Sequence, residues 1–169
     1  MDSTLTRSHC EGFGLLLVAY IYMTTCGCIV IVEDDRAIRE TLQQLIESQG
    51  YGVRTACNGE EALALLKVLD TPCLILTDLM MPVMNGYEFI QLASQTHTIA
   101  TIPIVIVSAT PKESDLKVMS ESGKIKGLIK KPFDCDYLMK VVVEHCGPPP
   151  SSHLQGIAGV LSTPISASR

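Results

Sequence analysis

Tryptophan is absent from the sequence and aromatic residues fill only 5% of its 169 positions, so a surface that stacks bases or sugar rings is not expected. Basic residues are outnumbered 13 to 18, which leaves a formal charge of −5 and a pI near 5.3. That balance argues against direct, nonspecific binding to nucleic acid. The seven cysteines are an odd number without paired spacing, and they fit a reducing, cytoplasmic compartment better than a disulfide framework. Neither Cys26 and Cys28 nor His9, His97, His145 and His153 stand at zinc-ligand spacing. Gly12-Phe13-Gly14 lacks the third glycine of a phosphate-cradling loop, so a flavin site has no support beyond fold class. What the chain does have is 47% hydrophobic residues, enough for one sizeable core.

Charge is also missing from both ends. Residues 1–22 carry only Asp2, Arg7 and Glu11, and residues 147–169 carry only Arg169. The reading is an apolar N-terminal extension over 1–24, a domain over 25–146 and a tail over 147–169. The tail opens Gly147-Pro148-Pro149-Pro150-Ser151-Ser152 and stays rich in Ser, Gly and Pro. It is expected to be disordered, because that composition buries too little to offset its ordering entropy. It is also too short for a DNA-binding output module.

From Gly12 to Val32, 21 consecutive residues lack a formal charge, nominally the length of a membrane span. The last five, Cys28-Ile29-Val30-Ile31-Val32, read instead as a buried strand running into Glu33-Asp34-Asp35. Without them about 16 residues remain, short of the roughly 20 that a bilayer requires. Asp2 and Glu11 in the head, with no A-x-A-like site before the strand, argue against a secretory signal. Two readings stay open for residues 1–22: an upstream start or loose extension, with Met23 as the natural beginning, and a weakly membrane-associating helix.

Between 28 and 146 strand and helix patterns alternate five times, the signature of an α/β domain with a parallel sheet. Short apolar runs predict strands at 28 to 32, roughly 52 to 56, 73 to 77, 103 to 107 and 126 to 130. Ile38, Leu42, Leu45 and Ile46 form one stripe of a first helix that stops at Gly50, with Asp35 as its cap. Asn58 with Glu61 predicts a capping box for the second, continued by Ala62, Leu65, Leu66 and Leu69. A third follows Gly86 through Phe89 and Leu92, a fourth covers roughly 112 to 121, and a fifth starts at Asp134 with Leu138, Val141 and Val142 inward. Right-handed crossovers then bring all strand ends of one sense to one edge.

Open α/β sheets bind ligands outside the carboxyl ends of their strands. In this chain those ends read Glu33-Asp34-Asp35, Asp78, Ser108 and Lys130-Lys131. Crowded carboxylates repel one another at neutral pH, and a hard divalent cation relieves the repulsion through oxygen coordination. Mg2+ is the expected occupant, with Mn2+ able to substitute. It uses one or two carboxylates, keeps several waters and completes its shell with a phosphoryl oxygen.

Four runs carry a resemblance: Val32-Glu33-Asp34-Asp35, Asp78-Leu79-Met80-Met81-Pro82-Val83-Met84-Asn85-Gly86-Tyr87-Glu88, Val107-Ser108-Ala109 and Lys131-Pro132-Phe133. Together, in this order and at strand ends, they make residues 25–146 resemble a response-regulator receiver domain of two-component signalling, of the chemotaxis type. The resemblance implies a flavodoxin-like (βα)5 three-layer fold with a five-stranded parallel sheet in the order 2-1-3-4-5.

Carried over residue by residue, it implies that Asp78 accepts a phosphoryl group from a histidine kinase or histidine phosphotransfer protein. Asp34, Asp78 and the backbone carbonyl of Met80 would be the metal ligands, with Glu33 acting through water. Lys131 would pair with Asp78 and then with a phosphoryl oxygen, while Ser108 would hydrogen-bond another, with Ala109 beside it. Pro132 implies a cis Lys131-Pro132 peptide. The protein would be a stand-alone phosphoacceptor that catalyses its own phosphorylation and slow dephosphorylation, rather than an enzyme, and would signal by docking to a downstream protein.

Two departures concern output and lifetime. Leu128 stands where the family often places an aromatic switch residue, so a smaller or differently transmitted change is expected on the face of the fourth helix, fifth strand and fifth helix. Met80 and Thr110 occupy the positions that relatives use to orient or block an attacking water, and apolar Met80 predicts slow loss of phosphate. A pseudo-receiver that acts without phosphorylation is the nearer alternative. A magnesium phosphohydrolase is the remoter one, since Met80 occupies the position where such enzymes need a second aspartate.

Overall fold

The computed structural model describes residues 28–69, 72–109 and 123–149. The expectations for residues 1–24, for the fourth helix at 112 to 121, for Thr110 and for the tail from 150 onward lie outside the described residues.

The elements run β1 (Ile29–Val32), α1 (Arg36–Ser48), β2 (Val53–Ala56), α2 (Gly59–Leu66), β3 (Leu74–Thr77), α3 (Gly86–Gln95), β4 (Ile104–Ser108), β5 (Ile125–Lys130) and α4 (Cys135–Cys146). All neighbouring strands are parallel, in the order β2-β1-β3-β4-β5. The strands form where the sequence offers β-branched and leucine runs flanked by polar or turn residues. β1, β3 and β4 are buried along their whole length because helices cover both faces. The edge strands β2 and β5 instead expose Arg54 and Lys126, charges that discourage pairing with another chain.

Alternation along each strand divides the core in two. Val30, Val32, Ile75, Ile104 and Ile106 point to one face and pack with Ala62, Leu66, Phe89, Ile90 and Ala93 from α2 and α3. Ile29, Ile31, Leu74, Leu76, Val105 and Val107 point to the other, against Leu42 and Ile46 of α1 and Leu138, Val141 and Val142 of α4. Fully burying each large aliphatic or aromatic side chain contributes about 1.5–3 kcal/mol, so these two layers clamp the sheet and fix its register. β4 begins one residue later than the apolar run predicts. Pro103 has no N–H for the ladder, although its carbonyl still accepts from the Ile75 N–H at 3.0 Å.

Local signals set the helix starts. Asp35 caps α1 by accepting from the N–H groups of Ala37 and Ile38 at 2.8 and 3.0 Å. Asn58 caps α2 through the Glu61 N–H, but the return bond of Glu61 goes to the Cys57 N–H rather than to that of Asn58. The reciprocal box is at α3, where Asn85 accepts from the Glu88 N–H and Glu88 accepts from the Asn85 N–H. Asp134 caps α4.

Gly86 cannot be replaced without disturbance. A Cβ there would lie 2.1 Å from the Asp78 carbonyl oxygen, so the start of α3 is pressed directly against the end of β3.

Candidate functional site

The sheet delivers its polar residues at the last position of a strand or one position past it. Glu33 follows β1 and Asp78 follows β3, and the Asp78 N–H donates to the Val32 carbonyl at 2.9 Å. Ser108 closes β4, and the Lys131 N–H, just beyond β5, donates to its carbonyl at 2.8 Å. A cis Lys131-Pro132 peptide follows. Continuing the ladder by one residue thus aims Glu33, Asp78 and Lys131 at the same pole.

There the Lys131 ammonium lies 2.6 Å from Glu33 Oε2 and 2.6 Å from Asp78 Oδ2. The other Asp78 oxygen, Oδ1, accepts from the N–H groups of Leu79 and Met80. Glu33 is 1% exposed, Asp78 8% and Ser108 3%, whereas Asp34 is exposed. Burial pushes the Glu33 carboxyl above its ordinary value, against the lowering effect of Lys131, and the Asp78 charge adds to the rise. For Lys131 burial acts downward, but the hydrogen bonds and charges of Asp78 and Glu33 together outweigh it and hold the ammonium above its ordinary value.

Glu33, Asp34 and Asp78 each present an oxygen within 4.8 Å of the others. Glu33 Oε1 is buried without a hydrogen-bond partner among the described residues, a costly state for a charged oxygen. Three converging carboxylates, one with an unsatisfied buried atom, suit a hard cation with oxygen ligands. The residues present therefore fit a Mg2+ or Mn2+ site.

The structure brings together Glu33, Asp34, Asp78, Ser108 and Lys131 from four strand ends. Met80 follows in the β3–α3 loop with its side chain 65% exposed. Ala109 is exposed just beyond β4. Leu128, paired with Ile106, is half-buried against the α2–α3 side of the core. Two features were not anticipated. Lys131 contacts Glu33 as closely as Asp78, and Arg39 in the first turns of α1 donates to the carbonyl oxygens of Glu33 and Asp34 at 2.6 and 3.1 Å. Beside the acids a cleft of about 500 Å3 opens between α1 and the β5–α4 loop, lined by Ile38, Thr41, Lys131, Pro132 and Phe133 among others.

The family model of the response regulator receiver domain matches residues 29–143, and the chain belongs to that family. Its similarity to an uncharacterized 14.6 kDa protein in the sodA1 3′ region of Leptolyngbya boryana is 32% identity over 118 residues, 70% of this chain and 88% of that protein. To the transcriptional regulatory protein CpxR of Klebsiella pneumoniae it is 36% over 106 residues, 63% of this chain but 43% of that protein. The chain thus spans less than half the length of that regulator. Among solved structures, the chemotaxis protein CheY4 of Vibrio cholerae superposes with a TM-score of 0.65 at 27% identity, covering 70% of this chain and 98% of that one. The five-stranded order and flanking helices agree with this flavodoxin-like, CheY-like fold. Among the described residues no helix is long and apolar enough to cross a membrane.

Proposed function

We propose that the chain acts as a cytoplasmic receiver: Asp78 accepts a phosphoryl group from a histidine kinase or histidine phosphotransfer protein, and the phosphorylated domain signals by contact with another protein. The observation that carries this reading is the placement of Asp78, buried, with one oxygen on Lys131 and another on two backbone N–H groups, beside Glu33 and Asp34. An ionised carboxylate needs no general base to act as a nucleophile. A new P–O bond forms to Asp78 as the P–N bond of the donor phosphohistidine breaks, and that electron pair leaves with the imidazole.

Glu33, Asp34 and Asp78, with the Met80 carbonyl, would hold Mg2+ or Mn2+, which when bound supplies positive charge for the oxygens of the transferring group. Lys131 moves its ammonium from the Asp78 carboxylate to a phosphoryl oxygen, and the Ser108 hydroxyl donates to another. The apolar cleft of Ile38, Pro132 and Phe133 opens beside Lys131 and suits the approach of a donor protein. Apolar Met80 offers nothing to orient water, so the acyl phosphate decays slowly and the domain turns over no separate substrate.

Intact-mass analysis after incubation with acetyl phosphate and Mg2+ tests this reading. Wild-type protein gains the mass of one phosphoryl group, and Asp78→Asn or chelation abolishes the gain. Wild-type protein that stays unmodified overturns it.

A further inference from the structure

We infer that Arg39 is a positioning residue for the cation site, bracing the turn that presents Glu33 and Asp34 without itself being a ligand. The inference rests on the proposed reading of this pole as a metal-dependent phosphoacceptor site. Arg39 is held by α1, its own N–H donating to the Asp35 carbonyl at 2.9 Å. From there Nη1 reaches back to the Glu33 and Asp34 carbonyl oxygens. These two carbonyls lie between the end of β1 and the Asp35 cap of α1, where neither the sheet ladder nor the helix supplies a donor. No other donor among the described residues reaches either oxygen.

The guanidinium therefore closes a gap in the backbone hydrogen bonding at the two residues whose carboxylates must converge. A turn with two unsatisfied carbonyls would rotate them toward water, and the side chains on the same residues would turn with them. Removing outer partners that orient metal ligands typically costs roughly 10–100-fold in metal affinity.

Bracing and charge predict opposite signs. As a charge alone, Arg39 repels a dication, so its removal would tighten binding. As a brace, its removal splays Glu33 from Asp34 and weakens binding. Mn2+ affinity, followed by the electron paramagnetic resonance of free Mn2+, separates the two in wild type, Arg39→Met and Arg39→Lys. Met keeps the apolar stem and loses donors and charge; Lys keeps a cation with N–H donors on a slightly shorter stem, so it restores the charge and part of the bracing. We expect Arg39→Met to bind Mn2+ about tenfold more weakly and Arg39→Lys to recover to within about threefold of wild type. Amide hydrogen exchange in the 33–36 segment of metal-free Arg39→Met should quicken while exchange in β3 and β4 is unchanged. Arg39→Gln gives the same sign test if the methionine variant does not fold. Equal or tighter Mn2+ binding by the neutral variant overturns the inference alone, and wild-type protein that binds no Mn2+ overturns both the inference and the proposed function.

Discussion

At the scale of single residues, Glu33 is the one described residue with a buried side-chain oxygen that lacks a hydrogen-bond partner. One of its oxygens meets Lys131 and the other has no partner within hydrogen-bonding geometry among the described residues, inside a 1% exposed side chain. Its carboxyl is raised mainly by burial, so the folded state binds that proton more tightly than the unfolded chain does. In metal-free protein the contribution of this group to stability is therefore fully present below the ordinary value of 4.5 and is lost as pH rises through the folded value. Glu33→Gln keeps the shape and removes the buried charge, and Lys131 retains Asp78 as partner. With a chelator present, calorimetry should find Glu33→Gln more stable than wild type near neutral pH by about 1 kcal/mol, with a flatter stability profile on the alkaline side of the carboxylate range. A less stable variant would mean that the Lys131–Glu33 contact outweighs the desolvation it requires.

The strand ends that carry Glu33, Asp78 and Ser108 were legible because each follows an apolar run read as a strand, whereas Lys131, behind the mixed run of β5, was singled out by the resemblance to a receiver domain. The contacts were less so. Lys131 and Glu33 are 98 positions apart, and only the β2-β1-β3-β4-β5 order brings their side chains together. Arg39 was invisible for a different reason: its partners are main-chain carbonyls, which every residue possesses.

At the scale of elements, the caps connect helix stability to the site. The N-x-x-E spacing occurs twice, at Asn58–Glu61 and Asn85–Glu88, and only the second closes into a reciprocal box. The spacing predicted the first; the second lay unread inside the Asp78–Glu88 run. Spacing alone could not choose between them, because the return bond depends on which N–H the preceding loop presents, and before α2 that is Cys57. The box at α3 has the larger consequence, since Gly86 follows Asn85 directly and its N–H donates to the Leu79 carbonyl at 3.0 Å. Asn85→Ala removes the acceptor for the Glu88 N–H and should cost about 1 kcal/mol in urea denaturation. Glu88→Ala should cost less, because the exposed Asn85 N–H then bonds to water. The reverse ranking would show that the side chain of Glu88, not that of Asn85, sets the start of α3.

At the scale of the whole molecule, the acids occupy one pole while the two packed faces run the length of the sheet, so any signal must travel through strands clamped on both sides. β4 and β5 are the route the geometry offers. Their register joins Ser108 to Lys130 and Ile106 to Leu128, so a movement of Ser108 toward a phosphoryl group reaches Leu128 two residues along the same ladder. Leu128 is half-buried against the α2–α3 side of the core. A leucine can shift within such a contact without exchanging an exposed for a buried position, whereas a tyrosine, larger and with a polar tip, would have two distinct places to go. Backbone amide shifts on adding beryllofluoride and Mg2+ should therefore be confined near β4 and the C-terminal end of β5 in wild type. In Leu128→Tyr they should spread along β5 and onto α4. Perturbations of equal reach in both proteins would mean that the side chain at position 128 does not set how far the signal travels, and that the β4–β5 ladder moves as one rigid unit.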